Sequence, residues 1–547
     1  MESSRESTPP WQWNIPAHFN IGDACTRHGR DSEYANTLAL IVDYGDGRVE
    51  QLSYAQLAAD SDRFASAIGA LGLDPGQRLL IRLPNSIHYP IAFFGSLQAG
   101  AIAVPASTQL TAEEVAYIGA DAGASILLTT ASDLPGLRPM IAALPLLRHI
   151  IVTECPGDAM LATDLKNQRG ASIAVHRWEP LLEQAQSLVK PYRSRADDPA
   201  YLVYTSGSTG YPKGVLHAHR ALLGRQPSSE YWFNFTGDDR ILHSGKLNWT
   251  YALGTAMMDP FYRGKTVVLN EGRVSAQRWP QLIAQHHCTI FIGVPTVYRQ
   301  ILQKTAVTAN DVPSLRYCMS AGEHLSDEIL VQWRQRFGQD IYEAVGMSEF
   351  SYYLSHHPSR PLRAGSAGKP QPGHDVALLD PAMQAVADTV EGMLCIPEDD
   401  PGLFLKYWGL PEETAALRRD GFFLTGDYAV RDSDGYIWFR GRKDDIINSM
   451  GYRISPFEIE RVLKGMPGVA DCVAIDEAVA SGAVIVTACI IAEPSTRLQV
   501  EAVIAFAGEH LAAYKVPKKV RFMASFPRTA NGKVLRKGLR AQLAESL

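Results

Sequence analysis

The amino-acid sequence predicts an α/β protein in two parts, a large N-terminal α/β domain followed by a small C-terminal α+β domain. Three observations predict it. Short runs rich in β-formers alternate with helix-length segments through the first two thirds of the chain. At 547 residues the chain exceeds the size at which one hydrophobic core usually keeps growing. A stretch dense in Asp, Gly and Arg, 432–442, separates that alternation from a compact final unit.

Each element follows from its local pattern. Residues 54–71 carry apolar side chains at three- and four-residue spacing and predict a helix. Residues 79–83 (LLIRL) predict a strand, closed by a turn at Pro84 and Asn85, with a helix after His88. Residues 101–105 end another apolar run. The segments 124–129 (ASILLT), 149–153 (HIIVT) and 200–204 (AYLVY) are short, rich in β-formers and bounded by turn residues. The alternation predicts layers around a partly parallel sheet. Asp434-Gly435 predicts a hairpin. Beyond it come a helix at 456–464, strands at 470–475 and 483–491, a helix at 500–511, and a final strand and tail. The division falls between Lys443 and Asp444, giving domains 1–443 and 444–547.

Composition narrows the function. The chain is 46% hydrophobic and 20% charged, with a formal charge of -6, so there is no overall basic field and nucleic acid is not an expected partner. The seven cysteines, Cys25, Cys155, Cys288, Cys318, Cys395, Cys472 and Cys489, form no CxxC pair and are odd in number. That suits reduced thiols in a cytoplasmic protein. The opening MESSRESTPPWQW has no apolar signal region. The most apolar stretch, 89–105, is broken by Gly95, Gln98, Gly100 and Pro105, so no transmembrane segment is expected. The pairs His217/His219, His286/His287 and His356/His357 lack a second ligand pair at zinc spacing and are read as non-metal histidines.

The most informative stretch is 204–217, YTSGSTGYPKGVLH. Its glycines Gly207, Gly210 and Gly214 let the backbone turn and bring N–H groups close to an anion. Thr205, Ser206, Ser208 and Thr209 offer hydroxyls to phosphate oxygens, and Lys213 adds a positive charge. The apolar run before it puts the loop at the end of a strand. GxxxxGK[ST] does not fit, so it is not a Walker A loop.

TSGSTGYPKG resembles the signature loop of the adenylate-forming superfamily, which includes acyl-CoA synthetases, the adenylation domains of peptide synthetases, and beetle luciferases. The resemblance recurs in order along the chain. Ser320-Ala321-Gly322-Glu323 resembles the segment bordering adenine, and Val345-Gly346-Met347-Ser348-Glu349 resembles YGxTE. GSAGKP at 365–370, GFFLTGD at 421–427, GRKDDIINSMGYRISPFEIE at 441–460 and RTANGKVLR at 528–536 match further segments. Two departures are Val345, where an aromatic residue is usual, and Asn448, where lysine is frequent.

The resemblance implies a large domain with several sheets, a small mobile C-terminal domain, and the substrates ATP and CoA with Mg²⁺. In such chemistry the substrate's own carboxylate attacks the α-phosphorus, so no Ser/His/Asp triad is required and the demand is electrostatic. It implies Lys533, Glu349 and Lys213 as catalytic groups, with Glu349 holding the metal. It implies Thr205, Ser206, Gly207, Ser208, Thr209, Gly210, Gly322, Glu323, Glu343, Ser348, Asp427 and Arg442 around ATP or AMP, with Asp427 on the ribose hydroxyls and Arg442 nearby. Asp444 resembles the hinge about which the small domain is thought to rotate. Ser449, Gly451, Tyr452 and Arg453 would then face CoA, with Arg453 either structural or CoA-proximal.

By the same resemblance the acyl pocket draws on Trp249, Thr250, Tyr251, Gly254, Gly293, Gly346 and Tyr352. Trp249 and Tyr251 would shorten or flatten it, and Gly254, Gly293 and Gly346 would leave space. The segment NWTYALG is similar to that of benzoate-type CoA ligases, and PAHFNIGDA to medium-chain acyl-CoA synthetases and the same aryl ligases. The expected reaction is ATP-dependent carboxylic acid:CoA ligation through an acyl-adenylate, on an aromatic, cyclic or short-to-medium-chain acid. Loading of a carrier protein, luciferase-like oxygenation and simple nucleotide binding are the alternatives. Oligomeric state is open, a homodimer included.

Overall fold

A computed structural model of the chain describes residues 11–155, 164–187, 190–205, 211–322, 325, 327–442, 447–454, 456–479, 483–493, 496–527, 534 and 536–545. The apolar runs become strands where the sequence predicts them: Arg78–Arg82, Ile102–Pro105, Ala124–Thr130, His149–Thr153 and Pro199–Thr205. Ala124–Thr130 is buried at every position, as a parallel strand covered on both faces must be.

Among the described residues these strands belong to an eight-stranded sheet. Its order runs Lys406–Tyr407, Lys213–Ala218, Pro199–Thr205, Ile102–Pro105, Arg78–Arg82, Ala124–Thr130, His149–Thr153, Ala174–Arg177. A nine-stranded sheet is parallel through its middle, where Arg240–His243, Ile290–Gly293, Tyr317–Ser320 and Ile341–Met347 lie side by side. Ser351–Ser355 turns back antiparallel on Ile341–Met347. A smaller sheet is built on the hairpin of Phe422–Arg431 with Ile437–Arg442, which turns around Asp434-Gly435 as predicted.

The helices form for local reasons as well. Tyr54–Ala70 starts from a capping box between Ser53 and Gln56 and buries Tyr54, Leu57, Ser61, Phe64 and Ile68 on one stripe. Ala112–Ala122 starts from a second capping box, Thr111 with Glu114, and stops at Gly123 in the left-handed region. His88–Gln98 is buried from Tyr89 to Gln98, which explains its continuous apolar character as core. No helix among the described residues is long and apolar enough to cross a membrane.

The C-terminal part contains the hairpin Ile447–Ser449 with Tyr452–Ile454, the helix Pro456–Lys464, the strands Val469–Ala478, Val484–Ala492 and Lys519–Phe522, and the helix Val500–His510. The expected final strand is Lys519–Phe522, but the segment expected as a tail beyond it holds a helix, Arg536–Glu545. Leu539 and Leu543, four residues apart, pack it on Val473, Ile475 and Phe526. Dense charge around that apolar pair hid the helix. The buried core of this part starts at Ile447 and shares no residue with the cores of the larger part. The predicted division at Lys443–Asp444 lies outside the described residues.

Candidate active site

Parallel strands of an open sheet deliver their following loops to one edge, and ligands bind outside those carboxyl ends. Here the edge is formed by Arg240–His243, Ile290–Gly293, Tyr317–Ser320 and Ile341–Met347. The residues singled out in the sequence at Trp249 to Gly254, at Gly293, at Ser320 to Gly322 and at Gly346 to Tyr352 lie at or beyond these strand ends.

Ser348 and Glu349 sit in the turn between Ile341–Met347 and Ser351–Ser355. Glu349 is 5% exposed. Its Oε1 accepts the Tyr407 hydroxyl at 2.6 Å, while Oε2 is buried without a hydrogen-bond partner among the described residues. Its carbonyl accepts from the Phe404 N–H at 2.8 Å, which ties the turn to the strand region that carries Tyr407. Lys213 opens the strand after the phosphate loop, pairs with Glu413, and has its Nζ 5.5 Å from the centre of the Tyr407 ring. Thr205 closes the strand before that loop; Ser206 to Gly210 lie outside the described residues.

Behind this turn lies a buried polar chain. His217 Nε2 is 2.8 Å from the Ser348 carbonyl, and burial pushes the imidazole down to about 3. The ring is therefore neutral at physiological pH, and Nε2 must carry the proton to donate to a carbonyl. His217 stacks on Tyr201 at 4.8 Å between centroids. Arg225 donates to the Tyr201 hydroxyl at 3.2 Å and to Asp259 at 3.1 Å, and Tyr352 donates its hydroxyl to the other oxygen of Asp259. Sequence reasoning took His217 as a non-metal histidine and did not single out Tyr407, Tyr201, Arg225 or Asp259. None of these carries a local motif.

Asp427 lies on Phe422–Arg431, directly across the hairpin from Arg442. It is mostly buried, and its N–H donates to Thr425 Oγ1 at 3.1 Å. Glu343 faces Ser320 in register on the neighbouring strand and accepts from the Leu325 N–H at 3.3 Å. Burial pushes its carboxyl up to about 8. Gly322 has φ of 91°. Glu323, Asp444 and Lys533 lie outside the described residues, as do the side chains of Arg442 and Arg453.

Trp249 precedes the short helix Thr250–Leu253. The Tyr251 ring lies 5.1 Å from His243 and 6.3 Å from Trp232, and its hydroxyl is buried without a hydrogen-bond partner among the described residues. Trp232 in turn lies 4.7 Å from Tyr352. His243 accepts from the Gly245 N–H on Nδ1, so Nε2 carries the proton and donates to Thr255 Oγ1 at 2.9 Å. Gly254, Gly293 and Gly346 are the residues expected to leave space for a ligand. At each of them another part of the chain approaches closely. A Cβ on Gly346 would meet the Ser351 carbonyl at 2.0 Å, and one on Gly254 the Tyr352 hydroxyl at 2.9 Å. At Gly293 the Tyr298 ring would stand 3.2 Å away.

From the C-terminal part, Met450 and Gly451 form a two-residue turn with φ of 51° and 80°, both in the left-handed region. Gly451 lies against Val294, and Ser449 Oγ donates to the Val484 carbonyl at 2.7 Å. The Tyr452 ring lies 4.5 Å from Trp249 and 4.1 Å from Tyr514, and its hydroxyl donates to Gln109 Oε1 at 3.2 Å. So Trp249 turns toward this small part of the chain.

Comparison with known proteins agrees with this arrangement. Residues 29–408 match the family described as AMP-binding enzyme, and residues 458–533 match the AMP-binding enzyme C-terminal domain. A 3-hydroxybenzoate--CoA/4-hydroxybenzoate--CoA ligase of Thauera aromatica is 31% identical over 91% of this chain and 93% of its own length. The mitochondrial acyl-coenzyme A synthetase ACSM3 of Homo sapiens is 28% identical over 96% of this chain and 90% of its own. Among solved structures, the anthranilate CoA ligase AuaEII in complex with anthranoyl-AMP superposes with a TM-score of 0.71 at 29% identity, covering 97% of this chain and 99% of that one.

Proposed function

This chain belongs to the family of AMP-binding enzymes, and on that footing we propose how its residues divide the work and which acid it takes. It is an ATP-dependent, AMP-forming carboxylic acid:CoA ligase that works through an acyl-adenylate. The acid is a monocyclic aromatic carboxylic acid. The observation that carries this reading is the aromatic wall beside the acyl segment, made by Trp232, His243, Tyr251 and Tyr352. Flat rings stack on and edge against such walls with about 0.5–1.5 kcal/mol per pair beyond simple burial. A flexible alkyl chain gains no comparable benefit. The relatives named for hydroxybenzoates and anthranilate support the same class.

In the first half-reaction the phosphate loop, Thr205 to Gly210 with Lys213, gathers the phosphates. Gly322, Glu323 and Glu343 border the adenine, with Asp427 and Arg442 at the ribose. Ser348 contacts the α-phosphate. Glu349 would hold Mg²⁺, and the residue fits a hard divalent cation: one carboxylate oxygen is fixed by Tyr407 and the other is buried with no hydrogen-bond partner among the described residues. When bound, the ion supplies charge neutralisation between phosphate oxygens. Lys533 would stabilise charge between the attacking carboxylate and the α-phosphate. In the second half-reaction Ser449, Gly451, Tyr452 and Arg453 face CoA. The small domain is 444–547, with Asp444 as its hinge, and separate cores on either side of that point support the division. Six of the seven thiols are buried, which suits work in the reducing cytoplasm.

The test is pyrophosphate release across acetate, octanoate, benzoate, substituted benzoates and cyclohexanecarboxylate, with and without CoA. Sustained, CoA-dependent turnover that prefers benzoates supports the reading. Preference for octanoate overturns the aromatic assignment, and a single burst with no CoA-dependent turnover moves the acceptor to a carrier protein.

A further inference from the structure

Lys515 is 4% exposed, and two carboxylates surround its ammonium. Nζ lies 2.8 Å from Glu114 Oε1 and 3.0 Å from Glu458 Oε2. The two acids come from opposite sides of the chain's division. Glu114 sits in the first turn of Ala112–Ala122, in the large part, and Glu458 in the first turn of Pro456–Lys464, in the small part. Glu114 cannot swing away freely, because its Oε2 already accepts from the Thr111 N–H at 2.9 Å and the Thr111 hydroxyl at 3.1 Å. Only Oε1 is left to face Lys515. Burial works against the ammonium, and the carboxylates of Glu458 and Glu114 outweigh it, so the group stays charged.

The neighbouring residue extends the contact to the reaction site. Tyr514 stacks on Tyr452 at 4.1 Å with 16° between planes, and Tyr452 reaches Trp249 and Gln109. One dipeptide, Tyr514-Lys515, thus anchors in the large part through Glu114 and braces the turn that carries Gly451 against Val294.

We propose that Lys515 is a positioning residue for the thioester half-reaction, pinning the small part of the chain in the arrangement that brings Tyr452 and Gly451 to the acyl segment. The inference rests on the two-step reading above. Without the ammonium, the Glu114 and Glu458 carboxylates would lose the cation that lies between them, which weakens the contact of the two surfaces. Adenylation draws on Lys213, Glu349 and Asp427 of the large part and on Lys533 delivered in the other arrangement of the small part, which the Lys515 contact does not hold. The exposed pair His510 with Glu113, 3.8 Å apart at the rim, is too solvated to replace the triad.

The experiment uses full-length protein with Lys515→Met, Lys515→Arg and Glu114→Gln. Benzoate-dependent ATP–pyrophosphate exchange reads adenylation, single-turnover benzoyl-CoA formation reads the second step, and small-angle X-ray scattering reads docking of the two parts. Lys515→Met is expected to keep exchange within twofold of the parent, slow thioester formation at least tenfold and enlarge the maximum dimension. Glu114→Gln is expected to move the same readouts in the same direction, and Lys515→Arg to restore most of the loss. Equal loss in both half-reactions, undiminished thioester formation, or an unchanged scattering profile in Lys515→Met overturns the proposal. If the parent protein shows no benzoate-dependent exchange, the substrate reading fails, and the scattering comparison still decides the role of Lys515.

Discussion

Tyr407 donates its hydroxyl to Oε1 of Glu349 at 2.6 Å and leaves Oε2 of that carboxylate buried with no partner among the described residues. A buried acceptor that stays unmet is unfavourable by about 1–3 kcal/mol, more for a charged group. The arrangement is relieved when a cation arrives. Glu349→Gln removes the charge that would hold it, and adenylation should fall on the order of 100-fold or more. Tyr407→Phe keeps the charge but frees the carboxylate to rotate. Its expected signature is a several-fold higher magnesium requirement with a smaller loss of maximal rate. Pyrophosphate release titrated with Mg²⁺ separates the two; an unchanged magnesium profile in both variants would remove Glu349 from the metal site.

His217 holds the other residue of that turn. Its Nε2–H donates to the Ser348 carbonyl while the ring is fully buried on Tyr201. His217→Ala should lower adenylation by about 10–100-fold, the usual effect of losing a group that orients a ligand-bearing residue. The KM for CoA should not change. Because the imidazole is pushed down to about 3, the acid limb of the rate profile should not contain its titration.

Stability should depend on pH in a defined direction. His217, His219 and His243 are each buried and pushed down to about 3 from 6.5. Below 6.5 the unfolded chain takes up protons that the native chain refuses, so each histidine removes stability as pH falls from 6.5 toward 3. Glu343 acts oppositely. Raised from 4.5 to about 8, it is protonated in the native state where the unfolded carboxyl is not, and it removes stability as pH rises from 4.5 through 8. Each group contributes about 1.4 kcal/mol per pH unit inside its window. Three histidines outweigh one carboxyl between 4.5 and 6.5, so stability rises with pH there and declines gently above. Urea midpoints measured across pH 5–8 check the maximum near neutrality, and Glu343→Gln should flatten the alkaline side.

The strands were legible because a parallel strand covered on both faces reads as an unbroken apolar run, as 149–153 and 124–129 do. The Ser348-Glu349 turn was legible because its chemistry is concentrated in five consecutive residues. What surrounds it was not. Tyr407 lies 58 residues from Glu349, Asp259 lies 34 from Arg225, and Tyr452 meets Trp249 across more of the chain still. Pairings of that separation leave no trace in periodicity. Gly346 shows the same limit: its missing Cβ admits the Ser351 backbone, a close approach that no periodicity marks. The final helix was missed because Leu539 and Leu543 are its only strong apolar pair amid charged neighbours.

Asp259 compensates a buried guanidinium. Arg225 and Asp259 have side chains 2% and 0% exposed, and Tyr352 completes the carboxylate's partners. Burial raises the Asp259 carboxyl, although Arg225 and Tyr352 oppose that. Asp259→Ala would leave Arg225 charged without a counterion, and unfolding free energy should drop by about 3–5 kcal/mol. Asp259→Asn retains a hydrogen-bond acceptor for Tyr352 or Arg225 and should lose less. Urea unfolding followed by tryptophan fluorescence measures both; equal stability of the alanine variant and the parent would show that the pair is not held as a buried charge.

Gly451 should separate the two half-reactions most cleanly. It has φ of 80°, and a Cβ there would meet Val294 at 3.1 Å. Gly451→Val therefore strains the backbone and pushes the turn from the large part, at the place where CoA is proposed to approach. Thioester formation should fall at least tenfold while pyrophosphate exchange stays within about threefold, since among the described residues none of the phosphate-binding groups bonds to this turn. Lys533→Ala should do the reverse, removing most pyrophosphate exchange while leaving a chemically supplied aryl-adenylate able to react with CoA. Measuring both half-reactions in both variants makes a crossed comparison. If Gly451→Val lost exchange as well, the turn would belong to adenylation, and the assignment of Ser449, Gly451 and Tyr452 to the CoA step would fall with it.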